Sequence, residues 1–105
     1  MELLTSLTVN KPVVIFSKST CSMTQTVKAL IKSFGANPIV IQIDRMPLGQ
    51  PVERALIQIG CKPSVPAVFI GQQFIGGTDE LISLNVQNRL SELLINASAI
   101  FMWNG

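Results

Sequence analysis

The chain has 105 residues, 48% of them hydrophobic and 13% charged, which suits one compact domain and excludes a disordered chain. Eight Lys+Arg against six Asp+Glu leave a net charge of +2, too small for direct nucleic-acid binding. Histidine is absent, which removes imidazole acid–base chemistry and every histidine-containing metal site.

Cys21 and Cys61 are the two cysteines, too few for a disulfide framework or a four-thiolate zinc site within one chain. No metal site is expected, and a nucleophilic thiol is the chemistry that remains. The segment from Met1 to Asn10 carries Glu2 and several hydroxyl or amide side chains rather than a signal-peptide core. Every apolar run is strand-sized, short of the roughly 20 residues that span a bilayer, so no membrane association is expected. The expected compartment is a reducing one, with both cysteines as thiols.

In chain order, a short helix over Glu2–Thr8 is weakly signalled. Val13-Val14-Ile15-Phe16 is a continuous β-branched and aromatic run, the pattern of a strand buried on both faces. Ser17-Lys18-Ser19-Thr20 is a polar loop in which Ser19 or Thr20 is the expected helix cap. Met23, Val27, Leu30, Ile31 and Phe34 then recur at helical spacing, and Gly35 closes the helix. Ile39-Val40-Ile41-Gln42-Ile43 is a second strand, and strand–helix–strand over about 30 residues is a βαβ unit with parallel strands. Pro51 suits a first helical turn ahead of the stripe Val52, Ala55, Leu56 and Ile59, which ends at Gly60.

Ala67-Val68-Phe69-Ile70 and Gln73-Phe74-Ile75 are two strands joined by Gly71-Gln72, a spacing that allows only a tight antiparallel hairpin. Thr78-Asp79-Glu80 opens a last helix, whose stripe continues through Val86, Leu90, Leu93, Leu94 and Ala97. The order βαβ, α, ββ hairpin, α predicts an α/β, thioredoxin-like fold: a four-stranded mixed sheet with helices on both faces. The whole chain, 1–105, reads as a single domain with an apolar tail over 97–105.

Three segments carry possible chemistry. Cys21 lies where the first loop turns into the first long helix, where unpaired amides and the helix dipole favour an anion, with Lys18 three residues upstream. The reactive reading competes with that of a buried cysteine acting as a small hydrophobe, and the flanking Thr20 and Ser22 favour the reactive one. Val65-Pro66 is either a cis peptide that exposes the Val65 backbone to an extended peptide or an ordinary trans proline at a strand start. Gly76-Gly77-Thr78-Asp79 is either a plain turn and cap or a place where a ligand carboxylate meets helix amides. Each segment is weak alone, and their joint order and spacing give them weight.

Lys18-Ser19-Thr20-Cys21, Ser64-Val65-Pro66 and Gly76-Gly77-Thr78-Asp79 together resemble the glutaredoxin family over nearly the whole chain. Phe34-Gly35-Ala36-Asn37-Pro38, Glu53-Arg54-Ala55-Leu56, the run from Gly60-Cys61 through Ser64-Val65-Pro66 to Phe69, and Ile82-Ser83-Leu84 resemble its plant-specific CC-type members. The resemblance implies a glutathione site. Cys21 is then the nucleophile, Lys18 meets the glycyl carboxylate, and Val65 pairs with the cysteinyl unit beside a cis Pro66. Gly77, Thr78 and Asp79 hold the γ-glutamyl end.

CC-type members usually read Cys-Cys-Met-Cys or Cys-Cys-Met-Ser, whereas this chain reads Cys21-Ser22-Met23-Thr24, so its motif cannot work as a dithiol. It also lacks the Cys-Gly-Phe-Ser pattern of cluster-carrying monothiol members, and it keeps Asp79 where many CC-type members have Asn. Cys61 either resolves a disulfide on Cys21 or is a structural loop cysteine.

The uncharged, apolar tail is either docked on its own core or a partner site. Ala99-Ile100-Phe101-Met102 resembles the terminal motif through which CC-type members contact TOPLESS-type co-repressors, with Phe101 in place of tryptophan and Trp103-Asn104-Gly105 beyond it. The resemblance also implies TGA-type bZIP transcription factors as partners and a cytoplasmic and nuclear location. Two functions follow as expectations: monothiol redox chemistry at Cys21, and an adaptor in transcription that needs a surface rather than turnover.

Overall fold

A computed structural model describes residues 2–99. The elements follow the order α1 (Glu2–Thr8), β1 (Val13–Ser17), α2 (Met23–Lys32), β2 (Ile39–Gln42), a 3₁₀ turn (Ile43–Arg45), α3 (Gly49–Gln58), β3 (Ala67–Ile70), β4 (Gln73–Gly76), α4 (Thr78–Val86) and α5 (Leu90–Asn96). The sheet order is β2-β1-β3-β4, with β1 parallel to β2 and antiparallel to β3, and β3 antiparallel to β4. This is the predicted thioredoxin-like fold.

The continuous apolar run of β1 is explained by its position: all five residues are buried, between two strands and beneath helices on both faces. Alternation divides them. Val13 and Ile15 join Val27, Ile31, Val68, Ile70, Leu81, Leu90 and Leu94 under α2, α4 and α5. Val14 and Phe16 join Leu4, Val52, Leu56, Cys61, Ala67 and Phe69 under α1 and α3. The β3–β4 turn is made by Gly71 at φ +59° and Gln72 at φ +70°, the paired left-handed residues that a two-residue hairpin requires.

Three local expectations are corrected. Neither Ser19 nor Thr20 caps α2; Ser22 takes that position without a side-chain capping bond. Ser19 instead donates to Asp44 through its amide, at 3.0 Å, and through its hydroxyl. The second strand ends at Gln42 and Ile43 begins the 3₁₀ turn, because α3 is pressed against that turn. A Cβ on Gly49 would lie 1.8 Å from the Ile43 carbonyl oxygen, so only glycine allows this approach.

The last helix is two helices. Asn88 at φ +60° stops α4, and the Arg89 amide bonds the Leu84 carbonyl across the stop at 2.9 Å, a Schellman closure with Asn in the usual glycine place. The chain turns there, so Val86 is 75% exposed and the inward stripe begins at Leu90. The same closure ends α5: the Ala99 amide bonds Leu94 at 2.9 Å and the Ala99 side chain packs on the core. Of the predicted partner tail, Ala99 is thus part of the domain's packing, while Ile100, Phe101 and Met102 lie outside the described residues. No helix among the described residues is long and apolar enough to cross a membrane.

Candidate functional site

β1 ends at Ser17 in the middle of the sheet, Lys18 follows it, and the chain then turns, the Cys21 amide bonding the Lys18 carbonyl at 2.9 Å. Cys21 is half-buried, one residue before the cap of α2. Ser22 makes no side-chain capping bond, and the Gln25 amide bonds the Ser22 carbonyl at 3.3 Å, so the positive end of the α2 dipole begins one residue beyond Cys21. Thr24, three residues after Cys21, is buried and its hydroxyl bonds that of Ser17, tying the start of α2 to the end of β1.

Cys21, Val65, Pro66, Gly77, Thr78 and Asp79 line one groove of about 750 Å³, with Cys61, Phe74 and Ile75 among the other walls. Three segments far apart in sequence therefore meet at one groove. The Val65-Pro66 bond is cis, as is Lys62-Pro63. Thr78 and Asp79 form the first turn of the nine-residue α4. Gly76, at φ +139°, has the Glu80 side chain where a Cβ would project, 2.6 Å away, and a Cβ on Gly77 would lie 3.2 Å from the Pro66 carbonyl oxygen. The two glycines thus serve the close packing of the protein's own chain. The Gly77 amide is satisfied as well, donating to Glu80 Oε1 at 2.6 Å, while Thr78 and Asp79 line the groove beside it.

Lys18 stands apart from the groove, on its flank. Its ammonium pairs with Glu53 Oε2 of α3, and the same oxygen accepts a bond from Ser64 Oγ at 2.7 Å. No local pattern in the sequence marks Glu53 and Ser64 as partners of Lys18, because Glu53 lies beside the buried stripe of α3 rather than on it.

The Glu53 carboxyl is held below its ordinary value of 4.5, first by the Lys18 hydrogen bond, then by that of Ser64, against the opposing effect of desolvation. A folded-state value below the unfolded one gives stabilisation that is full above about pH 4.5 and is lost as pH falls through the folded value. Melting temperatures measured from pH 7 to pH 3 should therefore fall more steeply for the wild type than for Glu53→Gln. Parallel curves would show that the pair contributes nothing to stability.

Cys61 is 3% exposed in the core under α1 and α3, and its thiol donates to the carbonyls of Pro63 at 3.2 Å and Pro66 at 3.8 Å. Burial, with the Glu80 charge as a second cause, pushes this thiol up from 9.0 to about 11. These bonds favour the structural reading of Cys61, although both cysteines border the groove as free thiols. At pH 8 the Cys61 thiol therefore stays protonated. Iodoacetamide at that pH should add one label to the folded protein, at Cys21, and a second only in guanidinium; mass spectrometry after digestion reads both. Among the described residues no group of three or more Cys, Asp or Glu is placed to hold a metal ion.

The profile of the glutaredoxin family matches residues 13–75, from β1 through β4 and across both cysteine segments. The chain belongs to the glutaredoxin family. Monothiol glutaredoxin-S6 of Arabidopsis thaliana is 53% identical over 102 residues, covering 97% of this chain and all of that one. Glutaredoxin-C1 of Oryza sativa subsp. japonica is 42% identical over 103 residues, with the same coverage. Among solved structures, wheat glutaredoxin aligns with a TM-score of 0.86 at 37% identity, covering 94% of this chain and 93% of that one. A buckwheat glutaredoxin–glutathione complex aligns with a TM-score of 0.80 at 30% identity, covering 96% and 99%. In this glutaredoxin, Cys21, Val65, Pro66, Thr78 and Asp79 share one groove, Gly77 contributes a turn whose amide is occupied, and Lys18 is engaged by Glu53.

Proposed function

We propose that this glutaredoxin is a CC-type, monothiol, glutathione-dependent thiol–disulfide oxidoreductase with Cys21 as nucleophile. The observation that carries the reading is the shared groove. A half-buried thiol at a helix start, a backbone edge at Val65-Pro66 and the first turn of α4 face one space large enough for a tripeptide.

Glutathione enters as a substrate. The Cys21 thiolate attacks the glutathionyl sulfur of a mixed disulfide, forming a Cys21–glutathione disulfide and expelling the other thiol as thiolate, which takes a proton from water. A second glutathione thiolate then attacks the bound glutathionyl sulfur, producing glutathione disulfide and returning the Cys21 thiolate. Val65 offers main-chain bonds to the cysteinyl unit beside Pro66, while Thr78 and Asp79 take the γ-glutamyl end and Lys18 the glycyl carboxylate. The buckwheat relative solved with glutathione supports this assignment by analogy.

Asp79 supplies the charge complementary to the γ-glutamyl ammonium, so Asp79→Ala should lower the yield of Cys21 adduct with glutathione disulfide several-fold while the fold survives. Intact-mass spectrometry measures the adduct, and equal yields in wild type and variant would overturn the assigned orientation.

A second reading, redox-linked regulation of transcription in the cytoplasm and nucleus, is favoured by the tail sequence Ala99-Ile100-Phe101-Met102. In that reading the glutaredoxin binds TGA-type bZIP factors and a TOPLESS-type co-repressor, and its thiol chemistry is weak or vestigial.

A further inference from the structure

The cation assigned to the glycyl carboxylate already has a carboxylate. Lys18 Nζ is bonded to Glu53 Oε2, and that oxygen is also held by Ser64 Oγ at 2.7 Å. Glu53 is carried by α3, between Val52 and Leu56, both fully buried. The pair is not sealed off: the two side chains are 32% and 29% exposed, and Lys18 borders two hollows, one shared with Cys21 and one with Glu53. A solute can therefore reach Lys18, but an anion arriving there meets the Glu53 carboxylate beside it. An ammonium has three donors, so a second acceptor is geometrically possible. Its charge, however, is balanced, and two carboxylates on one ammonium repel each other.

We propose that Glu53 is a specificity-determining residue: by occupying Lys18 it weakens recognition of thiols that end in a free carboxylate at this position. Ligands with that end masked, as an ester, an amide or a continuing peptide bond, are spared the repulsion. Specificity of this kind is set by a repulsive group against one ligand rather than by a new contact to the other. The inference rests on the reading of Lys18 as the glycyl-carboxylate partner and deepens it.

The test compares Cys21 adduct formation from glutathione disulfide and from the disulfide of glutathione glycyl monoethyl ester. The variants are Glu53→Gln, Lys18→Ala and the double variant, each checked for folding by circular dichroism. Glu53→Gln retains an acceptor for Ser64. It should raise the rate with glutathione disulfide about fivefold, the range of a partly exposed charge pair. With the ester it should change the rate less than twofold, and on the Lys18→Ala background the gain should vanish. Glu53→Ala, which leaves no amide to bond Lys18, should share the sign of the gain.

A rate with glutathione disulfide that is unchanged or lowered in both Glu53 variants overturns the inference while Lys18→Ala still impairs the reaction. So does an equal gain with both disulfides. Equal rates for wild type and Lys18→Ala with glutathione disulfide would instead bring down the reading of Lys18, and the inference with it.

Discussion

Cys21→Ser is expected to reduce glutathione-disulfide exchange at least about a hundredfold, to the uncatalysed background. A serine hydroxyl is not ionised near neutral pH and forms no disulfide-like adduct, so neither half of the exchange can proceed. The remaining thiol, Cys61, cannot take over: it is 3% exposed, donates to the Pro63 and Pro66 carbonyls, and has its ionisation pushed up to about 11. The assay couples reduction of a glutathionylated small thiol to glutathione reductase, with wild type and variant measured side by side. A variant that retains wild-type turnover would overturn the enzymatic reading. The same pair of proteins separates the two proposed functions, because binding to a TGA-type factor through a surface survives the substitution whereas turnover does not.

Phe16→Ala should cost about 3–5 kcal/mol, a large part of the 5–15 kcal/mol that holds a small domain folded. Phe16 is fully buried, with its ring edge-on to Phe69 at 5.4 Å between centroids, and it shares a cluster with Val52, Leu56 and Cys61. Phe69 in turn stacks at a tilt on Phe74, 5.5 Å away, so the cavity opens one ring away from a residue that lines the groove. A loss of this size lowers the melting temperature by roughly 12 °C or more in a domain of this length. Urea denaturation of the two proteins measures it, and a cost below about 1 kcal/mol would show that the core under α1 and α3 is not built on this ring pair.

The apolar elements were legible in the sequence because their signal is local. Val13-Val14-Ile15-Phe16 has no polar face to offer solvent, so a central strand was the only economical place for it, and it is buried throughout. Gly71-Gln72 leaves no room for anything but a hairpin, and both residues adopt the left-handed conformation. The break at Asn88 was missed because apolar spacing runs on through Val86 to Leu90, and the stop comes from one polar residue at φ +60°. Asparagine tolerates that conformation without announcing it as glycine does.

The site divides along the same line. The residue types at Cys21, Val65-Pro66 and Thr78-Asp79 marked three candidate segments, each weak alone, and it was their joint order and the family resemblance it carries that implied a shared site. Only the tertiary structure decided how the polar groups around them are spent: Lys18 on Glu53 and Ser64, Ser19 on Asp44, and the Gly77 amide on Glu80. The physical reason is that burial of an apolar side chain is rewarded wherever the core is, so it leaves a period in the sequence. A charged or hydroxyl group gains only from a partner at hydrogen-bonding distance and in the right direction, and that partner can lie 35 residues away, as Glu53 does from Lys18.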